Sequence, residues 1–242
     1  MPLQHGIRAN QSQFLQQLLQ VLLVGLTLGM MRTVVPALAE SEFGVARHSF
    51  VLLSAFVVAF GVVKGVMNFV AGRLAERIGR KHVLLIGWLV AVPIPMLIWA
   101  APNWNWIVFA TVLLGVQQGL CWSMTQTAKL DLTRLDERGL SIGLNEFSGY
   151  VGVAIAGVAT AYVADALGAR VGLLVFGLVV IGLALMFTLW GVTDTLPWAK
   201  AEAARYRQAS ASHPKPRYPT GVSTNPRTWE IFALMSWRDR RL

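Results

Sequence analysis

Three charged side chains lie inside long apolar stretches of this sequence, where an unpaired charge is costly. Arg32, Lys64 and Glu146 each fall within a run of residues that is long enough to cross a membrane as a helix. Charges at such depth normally face a water-filled pathway or pair with one another. Their residue types suit the binding of an anion, a proton or another ion, and we expect them to mark a pathway.

Lys64 and Glu146 are expected to lie at similar depths. Lys64 precedes Gly72 by eight residues, which is about 12 Å of helix. Glu146 lies about seven residues inside its own run, or roughly 10 Å. A buried amine and a buried carboxylate at matching depth form a natural pair. The pair is either a static structural contact or a proton site whose pKa changes as its partner comes and goes.

Arg32 allows two interpretations. It falls inside the first apolar run, about seven residues before the outer end. In the first interpretation its long side chain extends outward to the carboxylates of Glu40 and Glu42. In the second it faces a wet cavity and contributes to a binding site.

Uncharged polar residues accompany these charges. Asn68 lies four residues after Lys64, on the same helical face, and Asn145 precedes Glu146. The side chains of Gln117 and Gln118 either have their hydrogen bonds satisfied between helices or contact a solute. The predicted solute and ion pathway therefore comprises Arg32, Lys64, Asn68, Gln117, Gln118, Asn145 and Glu146.

The sequence offers no set of residues typical of an enzyme. There is no nucleophile with a spaced base and orienting group, no metal-ligand spacing and no phosphate-binding loop. The single Cys121 cannot form an internal disulfide bond and has no second cysteine with which to share a metal. We expect no catalytic residue, no metal and no cofactor.

The composition predicts a chain solvated mainly by lipid. Hydrophobic residues make up 55% of the sequence, charged residues 14%, and the mean hydropathy is +0.55. Six apolar runs are long enough to span a bilayer as helices. The predicted fold class is an all-α polytopic membrane protein with six spans, at about 14–39, 49–71, 82–101, 106–130, 139–164 and 171–192.

The basic residues are distributed asymmetrically. All but four of the 21 Lys and Arg residues fall in cytoplasmic segments of this topology or at cytoplasmic helix ends, such as Lys129. The four exceptions are Arg32, Arg47, Lys64 and Arg170. This asymmetry is the positive-inside signal. It predicts cytoplasmic termini in a bacterial inner membrane, and it explains the net charge of +9 better than a nucleic-acid partner would.

A short basic segment, Gly72–Lys81, separates the second and third spans. Its sequence, GRLAERIGRK, predicts a cytoplasmic loop in which Gly72 caps one helix and Glu76 stands near the start of the next. The segment resembles the signature loop between helices two and three of the major facilitator superfamily. Two departures from the family pattern are Glu76, where Asp is usual, and Gly115, where an Arg is often found.

This resemblance implies the amino-terminal half of a twelve-helix transporter, built from two inverted three-helix repeats. Residues 164–170 repeat the spacing of residues 75–81 on the opposite membrane face, as inverted repeats would. By the resemblance, spans one and four line the cavity, spans two and five face the other half, and spans three and six lie outside. The implied cytoplasmic gate consists of Gly72, Arg73, Glu76, Arg77, Gly79, Arg80 and Lys81.

Residues 193–242 are predicted to be a cytoplasmic linker with amphipathic helical segments. Asp194-Thr195-Leu196-Pro197 suits the start of a helix that continues to about Gln208. Residues 210–225 are rich in Pro, Ser and basic residues, which favours a flexible connection. A further helix from Asn225 would place Trp229, Phe232 and Trp237 on one face against the inner leaflet.

Three functions remain open at this level. In the first, the chain moves an anionic or drug-like small solute by alternating access, coupled to protons or another ion, and needs a second six-helix half. That half is either a separate chain or a second copy. In the second, the chain is a membrane scaffold or assembly factor that does not transport. In the third, it is a truncated fragment without activity.

Overall fold

The computed structural model describes residues 3–44 and 50–212. Every regular element in this part of the chain is helical, as long apolar runs in a bilayer require. A 3₁₀ turn (Leu135–Glu137) precedes one of the helices. The α-helices are α1 (Gln11–Ser41), α2 (Phe50–Ile78), α3 (Arg80–Ala91), α4 (Pro93–Ala100), α5 (Trp104–Leu132), α6 (Arg138–Leu167), α7 (Ala169–Gly191) and α8 (Leu196–Ser212).

Six stretches of these helices are long and apolar enough to cross a membrane. They are α1, the part of α2 from Val57 onward, α3 together with α4, α5, the 3₁₀ turn with α6, and α7. The all-α polytopic fold class is thereby confirmed. The third span is interrupted at Val92, immediately before Pro93, because proline lacks the N–H that would continue the helical hydrogen bonding.

The predicted helix end at Gly72 is wrong. Gly72 does not end a helix, and Glu76 does not begin one, because α2 continues to Ile78. Residues 73–78 are mostly good helix formers, and one glycine is too weak a signal to stop them. The turn is made by Gly79 alone, at φ +91°, a conformation that side-chain-bearing residues rarely adopt.

The centre of the bundle is formed by α1 and α5, which are largely buried. The most extensive contact of α1 is with α6, and that of α2 is with α5. Helices α3, α4 and α7 contact one another, and α3 and α4 also contact α5. Trp88 of α3 is buried, and its Nε1 donates to Gln20 Oε1 of α1 at 2.9 Å. In contrast, α2 and α6 are mostly exposed.

Helix α8 follows the last span, and its start at Leu196 agrees with the capping sequence predicted there. Contacts divide the chain into two units, Met1–Ala201 and Glu202–Leu242. The predicted division into a bundle (1–192) and a cytoplasmic linker (193–242) stays a prediction. The predicted flexible connection beyond Ser212 and the amphipathic helix containing Trp229, Phe232 and Trp237 lie outside the described residues.

Candidate functional site

The carboxylate of Glu146 accepts two hydrogen bonds at the interface of α5 and α6. Trp122 Nε1 donates to Glu146 Oε1 at 2.9 Å, and Asn145 Nδ2 donates to the same oxygen at 3.0 Å. Gly149, one turn further along α6, makes room for the indole, because a Cβ there would meet ring carbons of Trp122 at 2.5 to 2.9 Å. The local sequence thus holds a carboxylate against an aromatic donor within the span.

Lys64 does not form the direct ion pair with Glu146 that its depth suggested. No such contact within 4.0 Å occurs among the ion pairs of the described chain. The Lys64 ammonium lies 4.7 Å from the ring centroid of Trp122 and 5.9 Å from that of Phe60. The indole therefore contacts both groups: its face meets the cation, and its N–H meets the carboxylate. The charge of Glu146 still acts favourably on Lys64.

Two glycines of α5 allow α2 to pack close to α5, which places Lys64 of α2 beside Trp122. A Cβ on Gly115 would meet Val63 Cβ at 3.1 Å, and a Cβ on Gly119 would lie 3.0 Å from Lys64 O. The two helix backbones can approach closely because both residues lack side chains. Asn68, one turn after Lys64, accepts a hydrogen bond from Ser123 Oγ at 2.9 Å and joins the same two helices.

Sequence reasoning missed Lys129, which it assigned to a cytoplasmic helix end. Its side chain is fully buried, and its Nζ donates to the carbonyl oxygen of Gln17 on α1 at 3.1 Å. The charge of Glu146 also acts favourably on Lys129. Helical spacing could have indicated this position, because Lys129 follows Thr125 by four residues and Trp122 by seven, on one face of α5.

Arg32 is exposed on α1, and its charge acts unfavourably on Lys64. One of the two carboxylates considered for it is engaged elsewhere, because Glu42 forms an ion pair with Arg170. Arg170 also donates to the carbonyl oxygens of Trp99 and Ala101, at 3.0 and 2.7 Å. Arg32 and Lys64 thus lie close enough for their charges to repel each other. The functional role of Arg32 stays a prediction.

Gln117 and Gln118 are fully buried between α5 and α1. Gln118 Nε2 donates to Val24 O at 3.0 Å, to Thr27 Oγ1 at 3.2 Å and to Gln117 Oε1 at 2.9 Å. These hydrogen bonds favour the packing alternative, whereas Gln117 Nε2 and Gln118 Oε1 are buried without a hydrogen-bond partner in the described structure. A contact of either glutamine with a solute stays a prediction.

The seven predicted gate residues separate into two groups. Gly72, Arg73, Glu76 and Arg77 lie on the exposed surface of α2, and the Arg73 guanidinium stacks on Phe69 at 4.7 Å. Gly79 and Arg80 are buried, and Lys81 Nζ donates to Leu189 O at 2.9 Å. The first group is exposed, whereas the second is buried or hydrogen-bonded within this chain.

Arg80 points into the bundle. Its Nε donates to Asp131 Oδ2 at 2.8 Å, and its Nη1 donates to Ala75 O at 3.0 Å. Thr195 Oγ1 donates to the same Asp131 oxygen at 2.7 Å. Sequence reasoning recognised Arg80 by its motif but assigned no role to Asp131, because no local pattern connects positions that are 51 residues apart.

Comparison with known proteins agrees with this architecture. A family model described as the Major Facilitator Superfamily matches residues 18–237. The Inner membrane transport protein YnfM of Escherichia coli (strain K12) is 26% identical over 253 residues, and the alignment covers 98% of this chain and 51% of that protein. The chain thus spans about half the length of this curated relative.

Proposed function

Because the chain belongs to the major facilitator superfamily, we propose that it forms one six-helix half of a secondary transporter that moves a small solute by alternating access. Membership of this family points to transport rather than catalysis. The name of the E. coli relative supports a place in the bacterial inner membrane, and the asymmetric basic residues favour cytoplasmic termini. The other half is a second six-helix unit that packs against this one.

The observation that carries this proposal is the unpartnered surface formed by α2 and α6. Large apolar side chains are exposed along both helices. Lipid by itself would be enough to cover these side chains. Two glycine pairs, Gly61 with Gly65 and Gly139 with Gly143, also have no atom within 4 Å of an added Cβ in the described structure. Elsewhere in the bundle, pairs of this spacing receive a neighbouring helix. A second helical half fits this surface better than lipid does.

The charges beside this surface favour an anionic solute. Arg32, Lys64 and Lys129 are three basic side chains, against which Glu146 supplies one carboxylate. Excess positive charge inside a membrane span is costly, and a bound anion would offset it. A drug-like solute is the second candidate, since exposed Phe147 and Tyr150 flank Glu146. In either case Glu146 is the group we assign to coupling with protons.

The first experiment tests for the second half. We expect native mass spectrometry in nanodiscs to find a dimer, or a stoichiometric complex with another six-helix chain. The double change Gly61→Leu and Gly65→Leu should weaken this association at least tenfold, since it fills the open face. Gly182→Leu is the matched control, because Gly182 is equally open but lies on α7.

Other results would contradict the proposal. A monomer that remains alone at all protein concentrations would contradict the need for a second half. A stable complex with an unrelated membrane protein would favour the scaffold. Equal effects of the control and the double change would mean that the α2 face is not the interface.

The second experiment tests transport by the assembled protein. Proteoliposomes containing a pH-sensitive dye would be given citrate, benzoate or ethidium under a proton gradient. We expect proton flux to accompany a carboxylate, to be lost in Lys64→Gln and to be largely kept in Lys64→Arg. A response to ethidium alone would favour the drug-like solute, and no response to any compound would contradict proton-coupled transport of these solute classes.

A further inference from the structure

The short segment Thr193–Thr195, between α7 and α8, is attached to the signature segment by side-chain hydrogen bonds. Asp194 contacts the start of α3, and Thr195 contacts Asp131 of α5. We call Asp194 and Thr195 the linker clamp. Neither residue belongs to the predicted pathway or gate, and Asp194 was expected only to cap the helix that follows it.

Asp194 binds the first residues of two helices with one oxygen. Its Oδ1 accepts from the backbone N–H of Arg80 at 3.1 Å and from that of Leu196 at 2.9 Å. Arg80 begins α3 and Leu196 begins α8. The first N–H groups of a helix lack partners within the helix, and a negative charge is favourable there. One carboxylate therefore satisfies both helix starts.

Gly79 is the residue that lets this carboxylate approach. Its φ of +91° suits glycine. In addition, a Cβ at this position would overlap the Asp194 carboxylate, with Cγ at 2.7 Å. Any larger residue would displace Asp194 as well as strain the turn. The glycine of the signature segment is thus matched to an aspartate 115 residues later in the sequence.

Thr195 connects the clamp to the Arg80 side chain. Its hydroxyl donates to Asp131 Oδ2 at 2.7 Å, the same oxygen that accepts from Arg80 Nε at 2.8 Å. All three side chains are buried. Asp194 therefore holds the backbone of Arg80, while Thr195 shares the acceptor of its guanidinium.

We propose that Asp194 and Thr195 are positioning residues that make the start of α8 and the start of α3 open and close together. A movement of α8 would be transmitted to Arg80 through the shared Asp194 and Asp131 oxygens. This inference goes beyond the proposed function, because it assigns a mechanical connection between the segment after the sixth span and the signature segment. It does not depend on which solute is carried.

Amide hydrogen exchange of the full chain in nanodiscs tests this connection. In Asp194→Ala we expect exchange to become at least tenfold faster in both Gly79–Val83 and Leu196–Ala199, because both helix starts lose the same acceptor. Asp194→Asn keeps a side-chain oxygen and should give a smaller increase, again in both segments. It also keeps the test available if the alanine variant does not fold.

The controls separate this clamp from a local cap. Asp136→Ala removes an exposed aspartate from the loop between α5 and α6, and it should change neither segment. Thr195→Val should speed exchange at Gly79–Val83, whereas Thr195→Ser, which keeps the hydroxyl, should restore the original rate. Faster exchange confined to Leu196–Ala199 in Asp194→Ala, or no change in either segment, would overturn the inference. Because no transport is measured, a negative result here leaves the proposed function standing.

Discussion

At the scale of single residues, the main finding is that Trp122 lies between two charges that were expected to meet. The indole gives its face to Lys64 and its N–H to Glu146. A lysine side chain offers only donors and a carboxylate only acceptors, so each group depends on partners of a particular chemistry. The Glu146 carboxylate accepts hydrogen bonds from Trp122 and Asn145, and its charge acts favourably on the ammonium groups of Lys64 and Lys129.

Replacing Trp122 by Phe should separate the two contacts of the indole. The change removes the donor to Glu146 but keeps an aromatic face for Lys64. We expect a loss of about 1.5–3 kcal/mol in stability, the range for a hydrogen bond to a charged group. Thermal unfolding in nanodiscs would measure it. Trp190→Phe is the control, since Trp190 is exposed, and an equal shift in both variants would contradict the prediction.

Exchanging the charges of Lys64 and Glu146 should fail to restore stability. A lysine at position 146 cannot accept the hydrogen bonds now donated by Trp122 and Asn145. We therefore expect the double variant to be no more stable than the less stable single variant, as measured in a double-mutant cycle. Recovery to within about 0.5 kcal/mol of the original protein would instead show that a direct pair dominates.

At the scale of helices, glycines determine which elements meet. Gly25 and Gly29 of α1 face the backbone of α6 around Gly149 and Val153, where an added Cβ would overlap a carbonyl oxygen. The four-residue spacing of Gly25 and Gly29 is typical of such a close approach between helices. The same spacing at Gly61 and Gly65 leads to open space, which is why a second half is proposed there.

A methyl group at Gly25 should disturb the α1–α6 contact. Its Cβ would overlap Gly149 O, a backbone atom that cannot rotate away. We expect Gly25→Ala to destabilise the protein by about 1–3 kcal/mol, the usual cost of overpacking. Gly182→Ala, in open space on α7, should show no loss. Unfolding in nanodiscs would compare them, and equal stability would mean that the helices separate without cost.

At the scale of the whole molecule, the first unit gathers four connected segments at one end of the bundle. Gly6 N–H donates to Leu132 O at 2.8 Å, and Trp198 Nε1 donates to Gln4 O at 3.1 Å. The Arg80–Asp131 ion pair belongs to the same end. The amino-terminal segment, the signature segment, the α5–α6 connection and the start of α8 therefore share one side. The charge distribution predicts that this side is cytoplasmic.

Labelling of introduced cysteines should establish this orientation. Asn103 and Asp136 are both exposed and lie in connections at opposite ends of α5. With a membrane-impermeant maleimide on intact cells, we expect Asn103→Cys to be labelled and Asp136→Cys to be labelled only after lysis. The native Cys121 is buried and gives little background. The reverse pattern would contradict cytoplasmic termini.

Much of the fold was accessible from the sequence because its signals are local. The length and hydropathy of six runs predicted the spans, since only a helix satisfies its own backbone within lipid. The segment Gly72–Lys81 indicated the family, which the family model confirms. Where the prediction failed, at Gly72, the competing local preference of residues 73–78 for helix was stronger.

The site depended on tertiary structure because contacts across the bundle are decided by how each helix is rotated and how closely it packs. Sequence depth placed Lys64 and Glu146 together, but only packing at Gly119 and Gly149 put Trp122 between them. Lys129 was assigned to a helix end and is buried instead, because α1 covers it. The sequence predicted Asp194 only as the cap of α8. Its contact with the start of α3 depends on the fold, which brings Gly79 beside it.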